Sequence, residues 1–342
     1  MTTTNDRLSA LEKELIGPAR YNGAQVAEAA GTSLESARAL WRAMGFPAPA
    51  ATEVLFTDLD VKMLRSALEL VDDGLLEYPV VIHATRAIGQ ALSRVAEAEV
   101  AILSEWVRAR GAALSSDETN ELLETAARGL LLQRDEEHIT YAWRRHLVAA
   151  LGREFAAGPG VDRDPALPEA GLQDPVRAVA FADLVGFSAV SQEADSKELT
   201  ALIDRFEDLA YDLVAGGGGR VVKTIGDEVF FAVDDPVAAA EIALDLAEAY
   251  TDDELLPDVR VGLACGRVIS RAGDLFGPAV NLASRLVNVA RPGTVLVSPE
   301  IAEAVAGKDH LITKPLRRLR VLKGIGRVHV QHLYRAEAGR RT

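Results

Sequence analysis

The chain has 342 residues, of which 49% are hydrophobic and 26% are charged, so it has room for about two domains and is not disordered as a whole. Its 37 Lys and Arg residues against 51 Asp and Glu residues leave a net charge of −14, which argues against a protein that binds nucleic acid or anionic lipid. No apolar run reaches the roughly 20 residues that span a bilayer, and the N-terminus lacks the basic segment followed by an apolar segment that is typical of an export signal. The single cysteine cannot form an intrachain disulfide, which fits a reducing compartment. We therefore predict a cytoplasmic protein.

The first half of the chain carries the spacing of apolar residues that is typical of helices. From Val81 to Trp106, apolar residues follow one another at intervals of 7, 4, 3, 7 and 4, which predicts one stripe along a long helix. The stripe consists of Val81, Ile88, Leu92, Val95, Ile102 and Trp106. Shorter helices are predicted at residues 6–16, 24–30, 33–44, 58–72, 116–132 and 134–155. We therefore predict an all-α regulatory domain over residues 1–157.

Residues 158–175 interrupt this pattern with four prolines and three glycines, which predicts a linker between two domains. Beyond it, strands and helices alternate. Residues 176–184 are almost continuously apolar, as expected of a strand that is covered on both faces. Other strands are predicted at 220–224, 228–233, 259–268 and 294–297, helices around 199–213, 236–250, 278–290 and from 299 onward, and a terminal hairpin at 319–323 and 328–334. The prediction for residues 176–342 is an α+β domain with a mixed, largely antiparallel sheet and flanking helices.

Two aspartates follow predicted strands in this second domain. Asp183 ends the first strand, and Asp227 lies at the tip of a predicted hairpin, four residues after Lys223. Two carboxylates beside exposed loop N–H groups suit Mg²⁺, a hard cation that takes few carboxylates and fills its coordination shell with phosphate oxygens. Because a single aspartate at a strand end is also a common turn former, neither motif alone establishes a metal site.

A third block runs from Asp274 to Arg285 and begins a predicted helix at Gly277-Pro278. Asn281 and Arg285 are four residues apart and therefore share one helix face, in early turns where the helix dipole favours a phosphate. Taken alone, the two residues equally fit solvent-exposed positions of an amphipathic helix.

The order and spacing of the three blocks together resemble the class III nucleotidyl cyclases, over about residues 176–334. In that family two aspartates hold the two metal ions of each active site, Mg²⁺ or Mn²⁺, and Asp183 and Asp227 match them. The resemblance implies a ferredoxin-like palm as the catalytic fold. It also implies the reaction of an adenylyl cyclase, in which the ribose 3′-oxygen of ATP attacks the α-phosphate and yields 3′,5′-cyclic AMP and pyrophosphate.

The same resemblance assigns the residues that recognise the nucleotide. Lys223 and Asp274 match the family's base-reading pair, and Asn281 and Arg285 match the residues that serve the ribose and the transition state. A lysine donor and an aspartate acceptor complement adenine and mismatch guanine, so the pair favours ATP over GTP. Residues 267–273 form a shorter arm than is usual in the family, and the assignment of Asp274 rests on its spacing from Asn281.

Further residues are implied for the phosphates and for the assembly. The backbone N–H groups of Gly186, Phe187 and Ser188 are expected to cradle a phosphate. Lys323 resembles the family's triphosphate-binding lysine, or else belongs to a basic face, because residues 314–342 are rich in Lys and Arg. In the family, each site takes its metal aspartates from one subunit and its base-reading and transition-state residues from the other. The resemblance thus implies a homodimer with two shared sites.

The helical half contains a predicted helix-turn-helix at residues 21–46, which makes a nucleotide-sensing transcription regulator one alternative. Its second helix offers only Arg38 and Arg42, and this scarcity of basic residues argues against DNA binding. Residues 225–230 also resemble the diguanylate cyclase signature, although that signature has a glycine in place of Ile225. A guanylyl cyclase is disfavoured by the base-reading pair.

A helical half before a short-arm cyclase domain resembles the pH-responsive actinobacterial adenylyl cyclases that carry an autoinhibitory N-terminal domain. This resemblance implies repression near neutral pH and release on acidification. Histidine is the side chain that titrates in that range. The candidate sensors are His83 on the long helix and His138 and His146 on the last helix before the linker.

Overall fold

The structure is a computed structural model that describes residues 4–46, 50, 52–110, 114–130, 135–157, 175–253, 255–271, 273–316 and 320–336. The chain divides into two compact units, Met1–Pro159 and Gly160–Thr342. Apart from Pro175, the predicted linker at 158–175 lies outside the described residues. In the described ranges no helix is both long and apolar enough to cross a membrane.

The first unit is helical, as the spacing of its apolar residues predicts. Its described helices are α1 (Thr4–Leu15), α2 (Gly23–Ala29), α3 (Leu34–Met44), α4 (Asp58–Asp72), α5 (Tyr78–Arg110), α6 (Ser116–Leu130) and α7 (Asp135–Ala157). Local chemistry sets several ends, since Asn22 and Thr57 cap α2 and α4 in capping boxes. Leu40 and Leu64, both fully buried, centre a core that α2, α3, α4 and the start of α5 share. An apolar cavity of about 650 Å³ lies between α1, α5 and α6.

Helix α5 exists as predicted, but its stripe is not its packed face. Val81 is buried, whereas the other five members of the stripe are 39–64% exposed. In the C-terminal part of the helix the buried residues are Leu103 and Val107, each one position after a stripe residue. One position along a helix corresponds to a rotation of about 100°. The spacing therefore predicts the helix correctly, but in the C-terminal part of α5 it predicts the wrong side as the packed one.

The second unit is built around one large sheet. Its strands are β1 (Val176–Leu184), β2 (Arg220–Ile225), β3 (Glu228–Val233), β4 (Val259–Arg267), β5 (Ile269–Arg271), β6 (Asp274–Phe276), β7 (Val295–Val297), β8 (Leu311–Pro315), β9 (Arg320–Leu322), β10 (Gly326–Val328) and β11 (Gln331–Arg335). The helices are α8 (Phe187–Glu193), α9 (Ser196–Gly216), α10 (Pro236–Asp252), α11 (Pro278–Val289) and α12 (Pro299–Ala304). Seven strands pair in the order β2-β3-β1-β4-β7-β11-β8, antiparallel except for the parallel pair β4 and β7. The predicted α+β architecture with a mixed sheet is confirmed.

Because side chains alternate along a strand, the sheet has two different faces. One face packs against α9, α10 and α12, where the buried Tyr250 hydroxyl donates a hydrogen bond of 2.5 Å to the backbone carbonyl of Phe206. The other face packs against α11. There the rings of Phe181 and Phe230 stack with their centroids 4.4 Å apart. The site described below lies at the end of this second face.

The terminal hairpin predicted at 319–323 and 328–334 is wrong. Residue 319 lies outside the described residues, β9 pairs with β10 so that Leu322 faces Gly326, and β11 instead joins β7 and β8 in the large sheet. His329 and Val330 separate β10 from β11, yet nothing in the run of β-forming residues marks that break. The elements β5, β6, β8 and α8 are absent from the prediction because they are too short to show a period.

Candidate active site

Charged side chains meet where β1 ends, on the face of the sheet that packs against α11. In the register of the sheet, Asp183 lies opposite Glu228 on β3 and opposite Arg260 on β4. The Nε–H of Arg260 donates a hydrogen bond of 2.6 Å to Oδ2 of Asp183. Asp227 lies in the turn from β2 to β3, and its backbone carbonyl accepts a hydrogen bond of 3.0 Å from Leu184. The pairing of three strands thus brings the two predicted metal aspartates into one cluster.

This cluster is short of positive charge. Burial raises the pKa of Asp183 above its usual range; Arg260 opposes that rise and the negative charge of Asp227 adds to it. Burial, followed by the charges of Asp183 and Asp227, raises the pKa of Glu228 to about 7. Carboxylates that resist ionisation in this way gain from a bound cation, which reverses the local electrostatics.

A divalent ion therefore fits the chemistry of the donor set. Among the described residues, no group of three or more His, Cys, Asp or Glu side chains is arranged to hold a metal by itself. Mg²⁺ does not require such a group, because it usually takes one or two carboxylates and completes its shell with water and substrate phosphates. Asp183 and Asp227 are the side chains that would hold it.

A second pair of charged side chains joins β2 to β6. The Nζ of Lys223 forms an ion pair with Oδ2 of Asp274, and both side chains are half-buried. Oδ1 of Asp274 also accepts a hydrogen bond of 2.8 Å from the backbone N–H of Leu275. The Lys223 Nζ lies 6.0 Å from the centre of the Phe230 ring. The two residues predicted to read the base therefore lie together in one chain, each held by further contacts.

The two residues predicted to act on the ribose and the α-phosphate lie on α11. Gly277 starts this helix with a φ of 139°, and Pro278 occupies its first position. Asn281 and Arg285 are both exposed, one turn apart. The opposite face packs against the sheet and includes the buried Ala279, Ala283 and Val287. Both side chains thus face away from the core of their own chain.

The residues predicted to bind phosphate fall on two separate elements. Gly186, with a φ of 78°, lets the chain turn from β1 directly into α8, so that Phe187 and Ser188 form the first turn of that helix. Lys323 is exposed in the turn of the two-stranded β9–β10 sheet.

The three candidate pH sensors lie in the helical unit. His83 is on α5, and His138 and His146 are on α7. All three are exposed to solvent.

Arg260 and Glu228 belong to the cluster but are not among the site residues predicted from the sequence. Arg260 is 77 residues from Asp183 in the chain, and only the sheet register places the two side by side. One signal is present in the sequence, because Arg260 is the one charged residue within the otherwise apolar run 259–265. Glu228 directly follows Asp227 and begins a predicted strand, and no pattern in the sequence distinguishes it as a site residue.

Comparisons with known proteins cover both units. Residues 172–332 match the family described as the adenylate and guanylate cyclase catalytic domain. The chain is 35% identical over 338 residues to an adenylate cyclase of Glutamicibacter nicotianae, with 97% of this chain and 83% of that protein aligned. It is 40% identical over 296 residues to an adenylate cyclase of Streptomyces coelicolor, with 86% and 74% aligned. It is also 31% identical over 331 residues to the pH-sensitive adenylate cyclase MT1302 of Mycobacterium tuberculosis, with 94% and 81% aligned. Because these relatives align along most of their own length as well as this chain's, the chain belongs to the class III adenylate cyclases.

Proposed function

We propose that this enzyme converts ATP to 3′,5′-cyclic AMP and pyrophosphate at two active sites shared by a homodimer, and that its helical unit regulates the reaction by pH. The observation that carries the proposal is the presence, in one chain, of the carboxylate cluster at Asp183 and Asp227 together with the Lys223–Asp274 pair. Because the single cysteine, Cys265, has no partner for an intrachain disulfide, we place the enzyme in the reducing cytoplasm.

The Lys223–Asp274 pair would select the base. Without substrate the two side chains neutralise each other, so neither is left as an uncompensated charge in its half-buried position. Adenine would insert its N1 acceptor against the lysine and its N6 amino donor against the aspartate. Guanine presents the opposite pattern at those positions and would leave polar groups of the site unpaired, which is how such a site rejects a substrate.

Asp183 and Asp227 would hold two divalent ions, Mg²⁺ or Mn²⁺. Bound ions of this kind supply positive charge to the triphosphate and lower the pKa of an attacking hydroxyl. Arg260 holds the carboxylate of Asp183 in a fixed direction at the end of β1. The backbone N–H groups of residues 186–188 and the ammonium of Lys323 would bind phosphate oxygens.

The residues on α11 would act on the reacting atoms. Asn281 would orient the ribose by hydrogen bonds, and the Arg285 guanidinium would stabilise the negative charge that grows on the α-phosphate in the transition state. Their exposure on the outer face of α11 supports a role in the active site of a second copy. In that arrangement the metal aspartates come from one subunit, and Lys223, Asp274, Asn281 and Arg285 come from the other.

Mixing two inactive variants tests this arrangement. Asp227→Ala removes a metal carboxylate, and Arg285→Ala removes the transition-state residue. If the sites are shared, a mixed dimer has one site with neither defect, so random mixing restores about one quarter of the wild-type activity. Failure to regain cyclic AMP production, with mixed dimers demonstrated by differently tagged chains, would contradict shared sites.

The helical unit would set the pH response. The support is the similarity to the pH-sensitive relative along both units, together with three exposed histidines. We propose that protonation of the unit relieves inhibition and that α7, the last helix before the linker, transmits the change. The double variant His138→Ala, His146→Ala in the full chain should flatten the activity profile between about pH 5.5 and 8, where histidine titrates. If this double variant and His83→Ala both keep the pH–activity profile of the wild type, these three histidines are not the pH sensors.

A further inference from the structure

Strand β4 supports α11 on residues that have almost no side chain. Gly262 and Gly266 are four residues apart, so both face α11, with Ala264 between them. A Cβ atom at Gly262 would overlap backbone atoms of Val287 and Ala283. It would also lie 2.9 Å from the backbone carbonyl carbon of Leu286. These atoms belong to the helix backbone and cannot rotate aside, so only glycine permits this separation between strand and helix.

The start of α11 also lies close to the same strand. A Cβ atom at Gly277 would lie 2.9 Å from the backbone oxygen of Arg267, and its φ of 139° already restricts this position to glycine. A Cβ atom at Gly266 would lie 3.2 Å from the Cβ of Ala279. Helix α11 is therefore seated on β4 from its first turn to its last, and the tightest contact is at Gly262.

We propose that Gly262 is a positioning residue that sets the height of α11 above the sheet and thereby the reach of Asn281 and Arg285. The turn above Gly262, residues 283–287, contains Arg285 on its outer side. A methyl group at 262 would have to lift this turn until the overlapping atoms reach van der Waals separation, about 3.5 Å or more. The inference rests on the proposed function, because it gives catalytic roles to the two side chains that would move.

The first test is the kinetics of Gly262→Ala in the full chain. A displacement of about 1 Å at the reacting groups lowers the rate about 100-fold, and we expect a loss of that size in kcat. The KM for ATP should change less than about threefold, since Lys223 and Asp274 lie on β2 and β6.

Gly266→Ala is the matched control. It adds the same methyl group to the same face of β4, but that methyl would meet only the side chain of Ala279. We expect a smaller loss of kcat, and Ala279→Gly should restore it. No side-chain replacement on α11 should restore Gly262→Ala, because the obstructing atoms are backbone.

Mixed dimers separate positioning from general damage. When Gly262→Ala is mixed with Asp227→Ala, one site receives intact aspartates from the first chain and an undisturbed α11 from the second, so activity should return to about one quarter of the wild-type value. When it is mixed with Arg285→Ala, neither chain supplies an intact α11, and activity should stay low. Rescue by Arg285→Ala would place the damage in the metal cluster, and rescue by neither partner would make Gly262 a folding residue. Provided that Asp227→Ala and Arg285→Ala complement each other, either result overturns the inference.

Amide hydrogen exchange gives a readout that does not depend on shared sites. In full-length Gly262→Ala, exchange should become faster in α11 while β1 and α10 exchange as in the wild type. Unchanged exchange in α11 would overturn the positioning role even if Asp227→Ala and Arg285→Ala fail to complement each other. That failure would by itself contradict only the shared-site arrangement.

Discussion

Replacing Glu228 with glutamine tests the electrostatics of the carboxylate cluster. Burial and the charges of Asp183 and Asp227 raise the pKa of Glu228 from 4.5 to about 7 in the folded chain. A raised pKa means that the folded state holds the proton more tightly than the unfolded state does. The contribution of Glu228 to stability is therefore complete below about pH 4.5 and is lost as the pH rises through about 7.

The magnitude follows from the two pKa values. Their difference corresponds to about 3 kcal/mol, and solvent screening at a half-buried side chain reduces this to about 1–2 kcal/mol. Glutamine keeps the shape of the protonated glutamate and cannot ionise. At pH 8.5, Glu228→Gln should raise the free energy of unfolding of the metal-free protein by about 1–2 kcal/mol, and at pH 5 it should change it little.

Urea unfolding at both pH values measures the effect. Far-UV circular dichroism follows both units, whereas Trp41, Trp106 and Trp143 all lie in the helical unit, so their fluorescence reports that unit alone. Only the unfolding transition of the second unit should shift to a higher urea concentration. Glu303→Gln, at an exposed position of α12, is the control and should shift neither transition. A gain that is equal at the two pH values, or larger at pH 5, would refute the reasoning.

Three further predictions concern the metal, the base and the core. The apparent affinity for Mg²⁺, measured by calorimetry, should rise between about pH 5.5 and 8, because the raised pKa values of Asp183 and Glu228 make protons compete with the ion. Asp227→Asn should abolish binding, and an affinity independent of pH would contradict this prediction. Asp274→Asn should lower the preference for ATP over GTP, as a ratio of kcat/KM values, by about tenfold or more, and an unchanged ratio would remove Asp274 from base recognition. Phe230→Ala should cost about 3–5 kcal/mol of stability, because a fully buried ring stacked on Phe181 leaves a cavity; a loss below about 1 kcal/mol would mean that the sheet collapses around the gap.

The longer strands and helices of the second unit are predicted in their observed order, whereas the terminal hairpin is predicted wrongly and β5, β6, β8 and α8 are not predicted. Asp183 and Asp227 lie near the ends of strands, and Gly and Pro mark such positions in the chain, as Gly277-Pro278 marks the start of α11, within which Asn281 and Arg285 lie. The ion pair of Lys223 with Asp274 joins β2 to a strand of three residues that shows no period. The family resemblance assigns both residues to the base, with Asp274 placed by its spacing from Asn281, and it does not predict the ion pair between them.

Other features depend on register and tertiary packing, which a single sequence does not encode locally. Arg260 reaches Asp183 only because β1 and β4 pair as neighbours with one particular alignment. The side of α5 that packs near Leu103 depends on where α6 lies, and the break between β10 and β11 depends on β8 being available to pair. The close contact between α11 and Gly262 likewise depends on tertiary packing and cannot be predicted from the local sequence.

Cyclic AMP formation from ATP, by the wild type and by the Asp183→Asn and Asp227→Asn variants, tests the central claim most directly. With Mg²⁺ present and the variants shown to be folded by circular dichroism, the wild type should produce cyclic AMP and pyrophosphate in equal amounts, and each variant should lose nearly all of this activity. Undiminished cyclic AMP production by either variant would contradict the assignment of the metal site at the end of β1.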